Sequence, residues 1–117
     1  MSSDFQQGDM RELQVLDHNL QQMIMQKQSL QLELNETLNA LSEIDKTSDE
    51  VYRVIGPAMM RVEKSSLRKE LEERKKLLTL RIESFEKQES IIESKMLAMQ
   101  KIHSAAAGTR DSNQLSR

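Results

Sequence analysis

The chain has 117 residues, of which 31% are charged and only 3% aromatic, with three Gly, one Pro and no Cys. A thick globular core needs bulky residues from several layers, so this composition excludes one; Ala, Glu, Lys, Leu, Arg, Gln and Met dominate, as in long helices and coiled coils. Disulfides and thiolate metal sites are excluded too, and a net charge of −2 without a basic patch interleaved with aromatics argues against nucleic acid.

The charge is unevenly spread. Residues 1–50 carry ten acidic and three basic side chains, a net of −7, and residues 51–117 carry nine and fourteen, a net of +5. Opposite signs suit two halves that lie against each other. The start Met1-Ser2-Ser3-Asp4-Phe5-Gln6-Gln7 lacks a basic segment followed by an apolar run. No apolar stretch approaches the roughly 18 residues that span a bilayer. Neither a signal peptide nor a membrane segment is expected, and the cytoplasm is the expected location.

The first helix is expected over residues 10–45, with Asp9 as N-cap and Glu12 completing a capping box. Positions stepping by three and four read Leu13, Leu16, Leu20, Met23, Lys27, Leu30, Leu34, Thr37, Leu41 and Ile44. Eight of the ten are apolar over more than four heptads, which is the signature of a coiled-coil seam. Gln14, Gln21, Gln22, Gln26, Gln28 and Gln31 flank it as a solvated face.

The pattern breaks at the polar linker Asp45-Lys46-Thr47-Ser48-Asp49-Glu50. Val51-Tyr52-Arg53-Val54-Ile55 is β-branched and aromatic, Gly56-Pro57 is a turn signal, and Ala58-Met59-Met60-Arg61-Val62 is a weaker return strand. A β-hairpin is expected over 51–62. Ser65 and Ser66 offer an N-cap for a second helix over 67–104. Its seam is Leu71, Lys75, Leu78, Ile82, Phe85, Glu89, Ile92, Met96, Met99 and His103, seven of ten apolar. Residues 105–117 lack periodicity and are expected to form a disordered tail of a single domain spanning 1–117.

In an antiparallel coiled coil, facing residue numbers add to a constant. A total of 112 pairs Leu13 with Met99, Leu16 with Met96, Leu20 with Ile92, Leu30 with Ile82, Leu34 with Leu78 and Leu41 with Leu71, six layers apolar on both sides. Shifting one heptad, to 119, leaves four. A total of 112 folds the chain about Gly56, where the turn chemistry independently puts the reversal.

One narrow seam must offset the ordering of nearly the whole chain, and a lone hairpin is unstable in water. Val51, Tyr52, Val54, Ile55, Met59, Met60 and Val62 around Gly56 and Pro57 are too apolar to stand exposed, so the hairpin is the expected subunit-assembly element. At the opposite end lie Leu13, Leu16, Leu20, Met23, Ile92, Met96, Met99 and Ile102, with Met10, Ile24 and Met25 nearby. Five of the eight methionines fall here. Flexible, polarisable Met suits partners of variable shape, so these residues are the candidate partner-binding tips, on condition that the tip splays. Closing the seam is their other reading.

With hairpin and seams in place, the sequence resembles the β-type prefoldin subunits, the archaeal form in particular. The resemblance rests on Gln26-Lys27-Gln28-Ser29-Leu30-Gln31-Leu32-Glu33-Leu34, on Val51-Tyr52-Arg53-Val54-Ile55-Gly56-Pro57, and on Leu80-Arg81-Ile82-Glu83-Ser84-Phe85-Glu86-Lys87-Gln88-Glu89. It covers about residues 10–102, and the stretch entering the hairpin is its most specific part. It implies a mainly α fold, an antiparallel two-helix coiled coil with a central β-hairpin. It further implies a hetero-hexamer of two α-type and four β-type chains, a β-barrel platform of hairpins, and unfolded proteins held at the helix tips without ATP. Clients would then pass to a group II chaperonin.

No enzyme, cofactor, metal, nucleic acid or membrane is expected. His18 and His103 fall far out of step on the 112 register and read as surface histidines. The charge run Lys69, Glu70, Glu72, Glu73, Arg74, Lys75 and Lys76 reads as a solvated face. Gly56-Pro57 lacks the other residues of a phosphate loop. The competing class is a structural or tethering coiled coil of a larger complex.

Overall fold

The computed structural model describes residues 2–115, with side-chain surroundings for 7–102 and Ser104. The element order is α1 (Ser2–Lys46), β1 (Val51–Ile55), β2 (Ala58–Val62) and α2 (Lys64–Leu115). The chain divides into two compact units. One comprises Met1–Met25 with Phe85–Arg117; the other, the hairpin unit, comprises Gln26–Ser84.

In the hairpin unit the two helices lie side by side, antiparallel. Leu30, Leu41, Ile44, Leu78 and Ile82 are its buried apolar side chains. Leu34, Leu71 and Lys75 are half-buried. Thr37 is buried as well, and its hydroxyl is satisfied by donating back to the Glu33 carbonyl at 2.8 Å. Polar contacts between the helices identify the register. Arg68 pairs with Asp45, the Lys64 ammonium donates to the Thr47 carbonyl, and Arg74 lies 3.7 Å from Glu33. On a total of 112, Asp45 faces Leu67 and Thr47 faces Ser65, each one residue from its observed partner. A shift to 119 would put Arg74 and Glu72 opposite them, too far along the helix to leave these pairs intact. The 112 register therefore holds in this unit.

In the terminal unit the seam positions Leu13, Leu16, Met23, Phe85, Ile92, Met96 and Met99 are half-buried, and Leu20 and Glu89 are buried. His103, the last expected seam position, has its side chain outside the described residues. Every other seam residue expected on either helix is at least half-buried.

The strands begin and end where the sequence places them, and β1 pairs β2 antiparallel with Val51 opposite Val62 and Ile55 opposite Ala58. Gly56 takes φ +56°, and proline fixes φ near −65° at the next position. That is the combination a type II′ hairpin turn requires. Pro57 has no N–H to lose there, since the turn's two central residues do not enter the ladder.

The helix ends differ from expectation. α1 starts at Ser2 rather than residue 10, so Asp9 lies inside the helix and is not its N-cap. Nothing between Ser2 and Asp9 forbids helix; Gly8 weakens it by about 1 kcal/mol without breaking it. α2 starts at Lys64, with the Leu67 N–H donating to the Glu63 carbonyl at 3.0 Å, so Ser65 and Ser66 sit in the first turn and Glu63 holds the capping position. α2 also continues past Ser104 to Leu115, where a disordered tail was the expectation. Ala105-Ala106-Ala107 are the strongest helix formers, and loss of the seam pattern removes packing rather than helix propensity. Ser116 and Arg117 lie outside the described residues.

Candidate functional site

The hairpin has two faces. Side chains alternate along a strand, so Val51, Arg53, Ile55, Ala58, Met60 and Val62 share one face, and Tyr52, Val54, Met59 and Arg61 the other. Val51 and Val62, at the base, are half-buried. The remaining residues expected to carry assembly are exposed, with Val54 at 68% and Met59 at 69%. An apolar ribbon therefore stands in solvent on both sides.

Its edges are open as well. A two-residue turn makes Ile55–Ala58 the closing hydrogen-bonded pair, and such pairs alternate along the ladder. The backbone N–H and C=O of Tyr52 and Val54 accordingly point out of one edge, and those of Met59 and Arg61 out of the other. Four groups on each edge suit a further strand.

The polar side chains of the hairpin are engaged within the chain. The Tyr52 hydroxyl donates to Glu50 at 2.7 Å, and Arg61 reaches the other Glu50 oxygen at 3.1 Å. Arg53 pairs with Glu70 of α2 at 2.7 Å. The bond to Glu50 raises the Tyr52 pKa above 10.0, with a smaller contribution from desolvation.

The terminal unit presents a different surface. Of the eight side chains expected to bind clients, Leu20 is buried and Leu13, Leu16, Met23, Ile92, Met96 and Met99 are half-buried in the seam. Only Ile102 is open, at 67%. Among the described residues of this unit the exposed large apolar side chains are Met10, Val15, Met25, Ile91, Leu97 and Ile102, all between 53% and 68% exposed. Sequence reasoning weighted the seam and passed over Val15, Ile91 and Leu97. The available signal was apolar residues falling between seam positions.

No group of His, Cys, Asp and Glu among the described residues could hold a metal ion. His18 is exposed and lies 3.2 Å from Gln22 on its own helix. No helix among the described residues is long and apolar enough to cross a membrane.

The family model described as "Prefoldin subunit" matches residues 7–110. The prefoldin subunit beta of Methanothrix thermoacetophila is 36% identical over 96 residues, 80% of each chain. That of Thermococcus onnurineus is 33% identical over 106 residues, 88% of this chain and 91% of the other. Among solved structures, the prefoldin beta subunit from Thermococcus strain KS-1 superposes with a TM-score of 0.78 at 29% identity, covering 86% of this chain and 90% of that one. The beta2 subunit of the same strain gives 0.66 at 24% identity, a likeness of fold.

Proposed function

Because this chain belongs to the prefoldin family, as a chaperone subunit of the β type, we propose that it assembles through its hairpin and holds non-native proteins on its terminal unit without ATP. The partners of this reading are a two-hairpin α-type subunit and further β-type copies in a hetero-hexamer. Clients pass from it to a group II chaperonin in the cytoplasm. It has no catalytic role.

The observation that carries the client-binding part is the set of exposed apolar side chains in the terminal unit, Met10, Val15, Met25, Ile91, Leu97 and Ile102. Leu13, Leu16, Met96 and Met99 in the same unit are half-buried and add partly accessible apolar surface. The helices need not splay for these groups to meet an unfolded segment. Each such contact is weak, and several subunits acting on one client gain through effective concentration. Assembly is supported by the open edges and bare apolar faces of the hairpin, since an exposed edge strand is otherwise an aggregation hazard.

The test is suppression of aggregation when a denatured client is diluted into buffer with the assembled complex. Trimming the chain to residues 24–88 should abolish suppression while the oligomer survives. If the trimmed complex still suppresses aggregation, the terminal unit is not the site, and the hairpin platform takes its place.

A further inference from the structure

The hairpin carries two positive charges and no negative one, yet neither arginine is left for a partner to neutralise. Arg53 points from one face and is met by Glu70 at 2.7 Å; Arg61 belongs to the other face and is met by Glu50 at 3.1 Å. Tyr52, the remaining polar side chain between Val51 and Val62, donates to that same Glu50. Both carboxylates come from outside the strands, one from the linker before β1 and one from the second turn of α2. As they stand, all four charged side chains are substantially exposed, and exposed pairs of this kind contribute little to the stability of the chain itself.

Their value changes when the hairpin is covered. A charge taken out of water without its counter-ion is far costlier than one buried with it. We infer that Glu50 and Glu70 are assembly residues: built-in counter-ions that let the hairpin enter an interface as a neutral body, so that its partner is an uncharged, apolar β-strand edge rather than an acidic surface. Two observations point to that occupant. Every polar side chain of the hairpin is engaged from within the chain, and beside the remaining guanidinium N–H groups the hydrogen-bonding capacity facing outward is main-chain, at Tyr52 and Val54 on one edge and Met59 and Arg61 on the other. A strand edge supplies main-chain partners, and the flanking Val54, Ile55, Met59 and Met60 ask for apolar side chains.

The inference rests on the hairpin being the assembly surface, and the experiment separates the two. The full chain is co-expressed with a two-hairpin subunit, and the complex is followed by sedimentation velocity over a dilution series, with circular dichroism to check helix content. Glu50→Gln and Glu70→Gln keep shape and hydrogen bonding while removing charge. Each should raise the concentration needed for assembly about tenfold or more, with helix content unchanged. Adding Arg53→Met to Glu70→Gln should restore assembly to near the wild-type concentration, because the charge and its counter-ion have gone together. If both glutamine variants assemble like the wild type while Val54→Asp does not, the counter-ion role is overturned and the hairpin remains the interface. If Arg53→Met fails to rescue Glu70→Gln, Glu70 acts by some route other than neutralising Arg53, and the inference fails. If Val54→Asp assembles normally, the hairpin is not the interface.

Discussion

Within the hairpin unit, the helical seam and the β-hairpin are about equally rich in apolar residues, and they meet opposite fates. Leu30, Leu41, Ile44, Leu78 and Ile82 are less than a tenth exposed, whereas Val54, Ile55, Met59 and Met60 are more than half exposed. The difference is one of supply. Apolar residues spaced by three and four form a stripe on a helix, and the second helix of the same chain covers that stripe. A two-stranded ribbon with apolar residues on both faces needs cover on both sides, and the described residues have no further element to provide it. Burial in the seam is therefore a property of one chain, whereas burial of the hairpin, under the proposed function, is a property of an assembly.

The sharpest way to break that comparison is to charge the ribbon. Val54→Asp with Met60→Asp should abolish the oligomer in sedimentation velocity, yet shift the melting of the isolated chain little, because exposed substitutions rarely exceed about 0.5 kcal/mol. A large loss of chain stability would mean that the hairpin is covered within its own subunit. The seam should behave in the opposite way. Leu78→Ala, at 4% exposure, should cost about 2–4 kcal/mol in denaturant unfolding of the isolated chain. Cysteines placed at Leu34 and Leu78 should crosslink within one chain, and preferential crosslinking of 34 to 85 would point to the 119 register.

A smaller effect is expected at the turn. Gly56→Ala meets no atom within 4 Å, so its penalty is purely the backbone strain of φ +56°, about 1 kcal/mol. It should weaken assembly more visibly than helix content. The smallest effect is electrostatic. Tyr52 is the one tyrosine, and the chain has no tryptophan, so phenolate absorbance reports this residue alone. Its pKa is raised because the bond to Glu50, and secondarily desolvation, disfavours the phenolate. The Tyr52–Glu50 bond is thus complete below the ordinary value near 10 and is lost as pH rises through the raised one. Assembly should show no Tyr52-dependent change below about pH 9. Glu50→Gln should lower the phenolate midpoint.

Much of the fold was legible because periodicity is written locally. Every described seam position inferred from spacing is buried or half-buried, and the strands begin and end where Val51, Gly56-Pro57 and Val62 place them. The helix ends were less legible. Asp9 and Ser65 have the chemistry of N-caps, but a capping residue permits a start without compelling one, and nothing upstream of either stopped the helix. The exposure of the residues expected to bind clients was less legible for a related reason. Leu13, Leu16 and Met96 look like sticky residues at the end of a coil until the facing helix is present to cover them.

What the sequence by itself determined is the set of elements and which side of each is apolar, since a period of three and four or of two follows from backbone geometry alone. What only the tertiary structure decided is which apolar side chains remain in water. Exposure depends on what lies opposite: the facing helix along the seam, and, among the described residues, no further element over the faces of the hairpin. The pairing of Arg53 with Glu70, seventeen positions apart, is of the same kind. No local pattern announces it, because the two side chains meet only once the strand folds back beside α2.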